Sequence, residues 1–265
     1  MLEARELLQL FQKHPVVDEI RKSLNGCPDV KLKIENGVGS VLSFIAAVLG
    51  KESEGVQLFV LNDKEEAAYF YNDLLFLLGE EKLRFLPASF RRSGNFEDKD
   101  NDSILVRTEV LNALVDKQVG WVVTYTEALA EKVVNKEVLA DMSMPVSKGD
   151  KLSISFLEDL LSEYNFERSD FVYEPGQFSI RGSIVDIYSF AEERPVRLDF
   201  FGDEVESIRY FDVETQLSEQ QIERIVLVPD LSETVDGGKS GTLAEFLGKG
   251  VIWWLKNTFL IRDRL

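Results

Sequence analysis

Cysteine and histidine are almost absent: the 265 residues contain one of each, Cys27 and His14. A single thiol cannot close an internal disulfide, and with one imidazole it cannot assemble a Cys/His zinc site. That usage fits a reducing compartment, the cytosol. Long apolar runs are missing as well. The longest, at residues 41–49, is about nine residues, against the roughly 20 that a bilayer span requires. The opening Met-Leu-Glu-Ala-Arg-Glu has no apolar signal core, so no secretion signal is expected. Positive charge is scarce, with 30 Lys and Arg against 47 Asp and Glu for a net of −17. Such a surface repels a phosphate backbone, and no autonomous DNA binding is expected.

What is present is the composition of a folding chain, 45% hydrophobic and 29% charged, with a length suited to two domains. Apolar residues at helical spacing before Pro15 predict a first amphipathic helix, and a short second one fits residues 18–24. From there strands and helices alternate. A strand at 30–34, the loop Glu35-Asn36-Gly37-Val38-Gly39-Ser40 and a helix at 41–49 are followed by a strand at 56–61 and a helix at 65–78 behind an Asn62-Asp63 cap. A strand at 82–86, a polar loop at 88–103, a helix from a Ser103 cap to 115, a strand at 119–125 and a helix at 127–134 complete the region. This rhythm predicts a parallel sheet covered on both faces.

Beyond Met144-Pro145 the texture changes: one short helix at 154–164, then period-two alternation with turns at Pro175-Gly176, Arg181-Gly182, 193–195 and Gly202-Asp203. An antiparallel sheet is expected. A Gly-rich linker at 235–241, a helix at 243–247 and a strand at 251–255 come last, reading as a return to the first domain cut short. The expected fold is therefore α/β: a P-loop-like parallel-sheet domain at 1–145, a smaller α+β domain with an antiparallel sheet at 146–230, and a linker and return segment at 231–265.

Few residues carry chemistry. Gly37, Gly39 and Ser40 sit where a phosphate cradle would lie, but Val41, Leu42 and Ser43 stand where a working loop carries Gly, Lys and Thr. Without the lysine the loop reads as a structural turn, and no bound nucleotide, metal or other cofactor is expected. His14 has no Ser or Cys partner and reads as a surface or capping residue; Cys27 reads as an incidental thiol. Residues 151–230 hold six Arg and one Lys against 18 Asp and Glu, so their positive charge is almost all arginine. Arginine forms bidentate pairs with carboxylates and is enriched at interface hot spots. Arg197 stands out of phase with the apolar Val196, Leu198 and Phe200, which puts it on the solvent side, and Phe201 breaks the alternation. A docking patch and internal pairing with nearby carboxylates are the two readings left open.

The run from Tyr173-Glu174-Pro175-Gly176 through Arg181-Gly182-Ser183-Ile184-Val185-Asp186-Ile187-Tyr188, Pro195-Val196-Arg197-Leu198-Asp199-Phe200-Phe201-Gly202-Asp203 and Phe211-Asp212-Val213-Glu214-Thr215-Gln216 resembles the UvrA-binding domain shared by UvrB and the bacterial transcription-repair coupling factors, the Mfd family. Its ending favours the Mfd family, as do Leu86-Pro87-Ala88-Ser89-Phe90 and the stretch at 100–112. The resemblance covers most of residues 30–230. It implies a non-enzymatic module that recruits UvrA for transcription-coupled nucleotide excision repair, with RNA polymerase and DNA engaged only by other domains of such proteins. It further implies a degenerate form of the UvrB phosphate loop and too short a segment at 85–102 for UvrB's DNA-gripping hairpin. Arg181, Arg197 and Phe201 match UvrA-contacting positions of the Mfd family and Arg168 one of UvrB, while Ser179 replaces a UvrB arginine. The alternative is a UvrB-like nucleotide-binding enzyme domain with residual ATP binding.

Overall fold

The computed structural model describes residues 4–26, 31–53, 55–93, 96–99, 101–231 and 239–264. Contacts divide the chain into two compact units, Met1–Pro87 with Lys117–Ala130 and Leu247–Leu265, and Ala88–Asp116 with Glu131–Phe246. Each unit draws on separate stretches of the chain.

The first unit is built on a parallel sheet in the order Ile252–Leu255, Gln57–Leu61, Trp121–Tyr125, Leu83–Phe85. The two central strands, QLFVL and WVVTY, are buried along their whole length, as strands with both faces covered must be. Their polar side chains find partners within the unit, Trp254 Nε1 donating to Gln57 Oε1 at 2.9 Å and Thr124 Oγ1 donating to the Leu86 carbonyl at 2.9 Å, although Gln57 Nε2 is buried with none. Helix Val41–Lys51 lies so close to the sheet that a Cβ on Gly50 would come within 2.1 Å of the Trp121 ring. Helix Lys64–Leu78 starts where expected, its Asp63 cap accepting from the Glu66 N–H at 2.8 Å. His14 separates helices Ala4–Gln12 and Pro15–Gly26, and its Nδ1 accepts from the Val16 N–H at 3.3 Å, a capping role. Cys27 and Val30 lie outside the described residues.

Four expectations are corrected. Residues 31–34 form no strand: Lys31 and Lys33 alternate with Leu32 and Ile34, a pattern that would bury two ammonium groups in a sheet covered on both faces, and Ile252–Leu255 pairs with Gln57–Leu61 instead. The polar stretch expected as a loop at 88–103 contains an antiparallel hairpin, Phe90–Ser93 with Phe96–Lys99, paired in register from Phe90 with Lys99 to Ser93 with Phe96. The following helix begins at Asn101, which puts Ser103 inside it rather than at its cap. The helix expected over 127–134 stops at Ala130; Val133–Val134 is a short strand because it pairs with Ser240–Gly241, a partner from the far end of the chain. Most of the expected linker lies outside the described residues.

The second unit carries a six-stranded sheet in the order Ser218–Ile222, Glu204–Phe211, Val196–Phe201, Ile184–Ile187, Gln177–Arg181, Glu167–Arg168. It is antiparallel except where Glu167–Arg168 runs parallel to its neighbour. Gly182 and Gly202, at φ 64° and 63°, make the tight turns on either side of the site strands. Helix Ile154–Glu163, capped by Ser153 whose Oγ accepts from the Phe156 N–H at 3.1 Å, covers one face of the sheet. Its Leu157 and Leu161 form a core with Phe178, Val185, Ile187, Val196, Leu198, Phe200, Val205 and Ile208. Met144–Ser147 and Arg224–Leu227 pair beside it and add Val146, Ile225 and Leu227. The architecture is mixed α/β, a parallel sheet with helices and an antiparallel sheet, as the alternation and the later period-two pattern predict. No helix among the described residues is long and apolar enough to cross a membrane.

Candidate functional site

Alternation along Val196–Phe201 sends Val196, Leu198 and Phe200 into the core and leaves Arg197, Asp199 and Phe201 on the face opposite the helix. The register lines up Ser179, Asp186, Arg197 and Arg209 across four strands of that face. Asp186 is its centre. Its side chain has no solvent exposure, and both carboxylate oxygens are taken: Arg197 Nε donates to Oδ1 at 2.7 Å, Arg197 Nη2 donates to Oδ2 at 2.9 Å, and Arg181 Nη2 also donates to Oδ2. One buried carboxylate thus holds two guanidinium groups and leaves the cluster one positive charge in excess.

The two arginines differ in freedom. Arg197 lies 4.8 Å over the Phe211 ring, and its Nη1 donates to the Gln216 carbonyl at 3.1 Å and to Ser218 Oγ at 3.3 Å, which leaves 13% of the side chain exposed. Its hydrogen bonds to Asp186 raise its already high pKa against the opposing effect of burial. The sequence pattern put this residue in solvent; it is on the outer face, but the segment through Gln216 covers it. Arg181 is 38% exposed. Its Nη1 donates to the Asp170 carbonyl at 2.8 Å, and its guanidinium carbon lies 5.2 Å from the centre of the exposed Phe171 ring. Ser179 is buried and donates to the same Asp170 carbonyl at 3.0 Å. Phe201 is 79% exposed, at the end of its strand.

Arg168 stands apart. It reaches Glu158 on the helix that covers the opposite face of the sheet, so the structure brings Arg181, Arg197 and Phe201 to one face and Arg168 to the other. Sequence reading missed Asp186 and Arg209. Arg209 pairs with Asp199, donates to Ser207 Oγ at 2.9 Å and extends the row of charges. A signal for Asp186 existed: one carboxylate within the apolar run Ile184-Val185-Asp186-Ile187 must be paired if that strand is buried.

In the first unit, Gly39 has φ 60° and Ser40 precedes helix Val41–Lys51 without a side-chain capping bond. Leu42 folds back on the loop, with its Cδ2 2.6 Å from where a Cβ on Gly37 would sit. Ser43 is buried and donates to Asp73 Oδ2 at 2.8 Å.

The six-stranded sheet and its covering helix fall within residues 144–232, which match the family model of the UvrB interaction domain. Over more of its length the chain is similar to transcription-repair-coupling factors. It is 29% identical over 224 residues to that of Bacillus subtilis (strain 168), covering 84% of this chain and 19% of the relative. It is 33% identical over 128 residues to that of Escherichia coli (strain K12), covering 48% and 11%, and 29% identical over 222 residues to that of Myxococcus xanthus, covering 81% and 18%. These findings bear out the resemblance read from residues 173–216. The chain spans about a fifth or less of the length of these relatives.

Proposed function

We propose that this chain is a non-enzymatic docking module that brings UvrA to transcription-coupled repair, acting through the face that carries Arg181, Arg197 and Phe201. The observation that carries this reading is the pairing of two arginines on one buried carboxylate beside a 79% exposed phenylalanine, within a segment that matches the UvrB interaction domain. A fixed guanidinium edge gives bidentate recognition of a partner carboxylate, and an exposed aromatic supplies an apolar anchor. Arg168, paired with Glu158, serves a separate UvrA contact on the other face. RNA polymerase and DNA are engaged by the further length that the relatives possess, and the module works in the bacterial cytoplasm. In domain terms, residues 1–145 are a degenerate P-loop-like domain, 146–230 the UvrA-binding domain and 231–265 the linker and return.

The rival, a nucleotide-binding UvrB-like enzyme, needs a lysine and a free hydroxyl at the glycine loop. Leu42 packed on Gly37 and Ser43 bound to Asp73 count against it.

Arg181→Glu and Phe201→Ala test the docking face, because both side chains are exposed enough to change without opening the core. Each is expected to weaken UvrA binding, measured by titration with purified UvrA, by about 2–5 kcal/mol for the charge reversal; Phe201→Ala leaves the melting temperature unchanged, whereas Arg181→Glu lowers it by taking one of the two cations from buried Asp186. Wild-type affinity in both variants would overturn the reading.

A further inference from the structure

Asp186 is the one carboxylate on the docking face with no solvent exposure, and it occupies the register position between Ser179 and Arg197. A partner cannot touch it. Its two oxygens nonetheless fix both arginines, from different strands and different sides: Arg197 through a two-pronged contact at 2.7 and 2.9 Å, and Arg181 through a shared Oδ2. Holding a long arginine in one rotamer removes side-chain entropy that binding would otherwise cost, and a guanidinium fixed before encounter is the pre-organised form of a recognition fork. Burying a carboxylate beneath a protein-binding surface is costly in itself, and it persists here because two cations share it. The surroundings complete the alignment. The Asp170 carbonyl and Phe171 ring bracket Arg181, while the Gln216 carbonyl and Phe211 ring bracket Arg197.

We infer that Asp186 is the positioning residue of the docking face: without contacting the partner, it sets the two arginines at the spacing that a carboxylate-bearing surface of UvrA reads. This rests on the docking reading above, and the two fail differently. The measurement is a double-mutant cycle on the full chain with Asp186→Asn, Arg181→Ala and their combination, each titrated with purified UvrA and each melted. Asp186→Asn alone is expected to weaken binding by about tenfold or more, and to weaken it less in the Arg181→Ala background, where only Arg197 is left for it to act through. A second readout needs no partner: in the nitrogen-resolved NMR spectrum of the arginine side chains, the Arg197 Nε–H resonance is expected to be protected in the native chain, where it donates to Asp186 Oδ1, and to exchange faster in Asp186→Asn. Should Asp186→Asn fail to fold, Asp186→Glu, which keeps the charge and displaces the carboxylate by one methylene, carries the same cycle. Additive losses, or native affinity in the Asp186 variant while Arg181→Ala weakens binding, overturn the positioning role alone. Native affinity in Arg181→Ala and in Asp186→Asn together overturns the docking face and the positioning role with it.

Discussion

Glu192 shows how one side chain can set a pH dependence. Burial pushes its carboxyl above the usual range, even though the Tyr210 hydroxyl donates to it at 2.9 Å and the Val226 N–H also points at it. The Tyr210 hydroxyl is in turn pushed up, first by burial and then by the charge of Glu192, so it stays a donor. A carboxyl whose pKa is higher folded than unfolded binds its proton more tightly in the fold. Stability is then lost as pH rises from the ordinary carboxylate range through the raised value. Glu192→Gln, neutral at every pH, is expected to melt above the native chain near neutrality and to converge with it at roughly pH 4, a comparison that thermal melts across that window make directly. At this scale the sequence was partly legible. Arg181, Arg197 and Phe201 stood out because they break an alternation or an acidic background, and the structure places all three on one face. What the sequence could not show was which arginine is covered, since that depends on Phe211 from the neighbouring strand and Gln216 from the turn after it.

The elements were legible where their own residues decide them and obscure where a distant partner does. The mostly apolar strands Gln57–Leu61 and Trp121–Tyr125 and the Asp63-capped helix Lys64–Leu78 announce themselves locally. Strand Val133–Val134 exists only because Ser240–Gly241 pairs with it, and residues 31–34 lose strand status because Ile252–Leu255 holds the neighbouring position. Helix Val41–Lys51 offers a test of how tightly an element is seated. Gly50 faces the Trp121 ring at a distance that leaves no room for a methyl group. Gly50→Ala should raise helix propensity yet destabilise the protein by about 1–3 kcal/mol through overpacking, as denaturant titration would register. A stabilised Gly50→Ala variant would mean that Trp121 yields easily.

For the whole molecule, the core beneath the docking face draws only on residues between Val146 and Leu227, all inside the matched segment 144–232. That segment, expressed alone, is expected to melt cooperatively and to retain the UvrA affinity of the full chain. A non-cooperative melt by calorimetry would place essential packing outside it. The first unit has no such continuity, because the chain leaves it at Pro87 and again at Ala130 and rejoins it at Leu247. The bond from Trp254 to Gln57 spans 197 positions. Synthesis therefore imposes an order that the finished fold does not display. While the ribosome is still working through the intervening residues, the Gln57–Leu61 strand has an open side, and a chain that stalls between Ile222 and Ile252 carries a complete docking face in the second unit and an incomplete parallel sheet in the first.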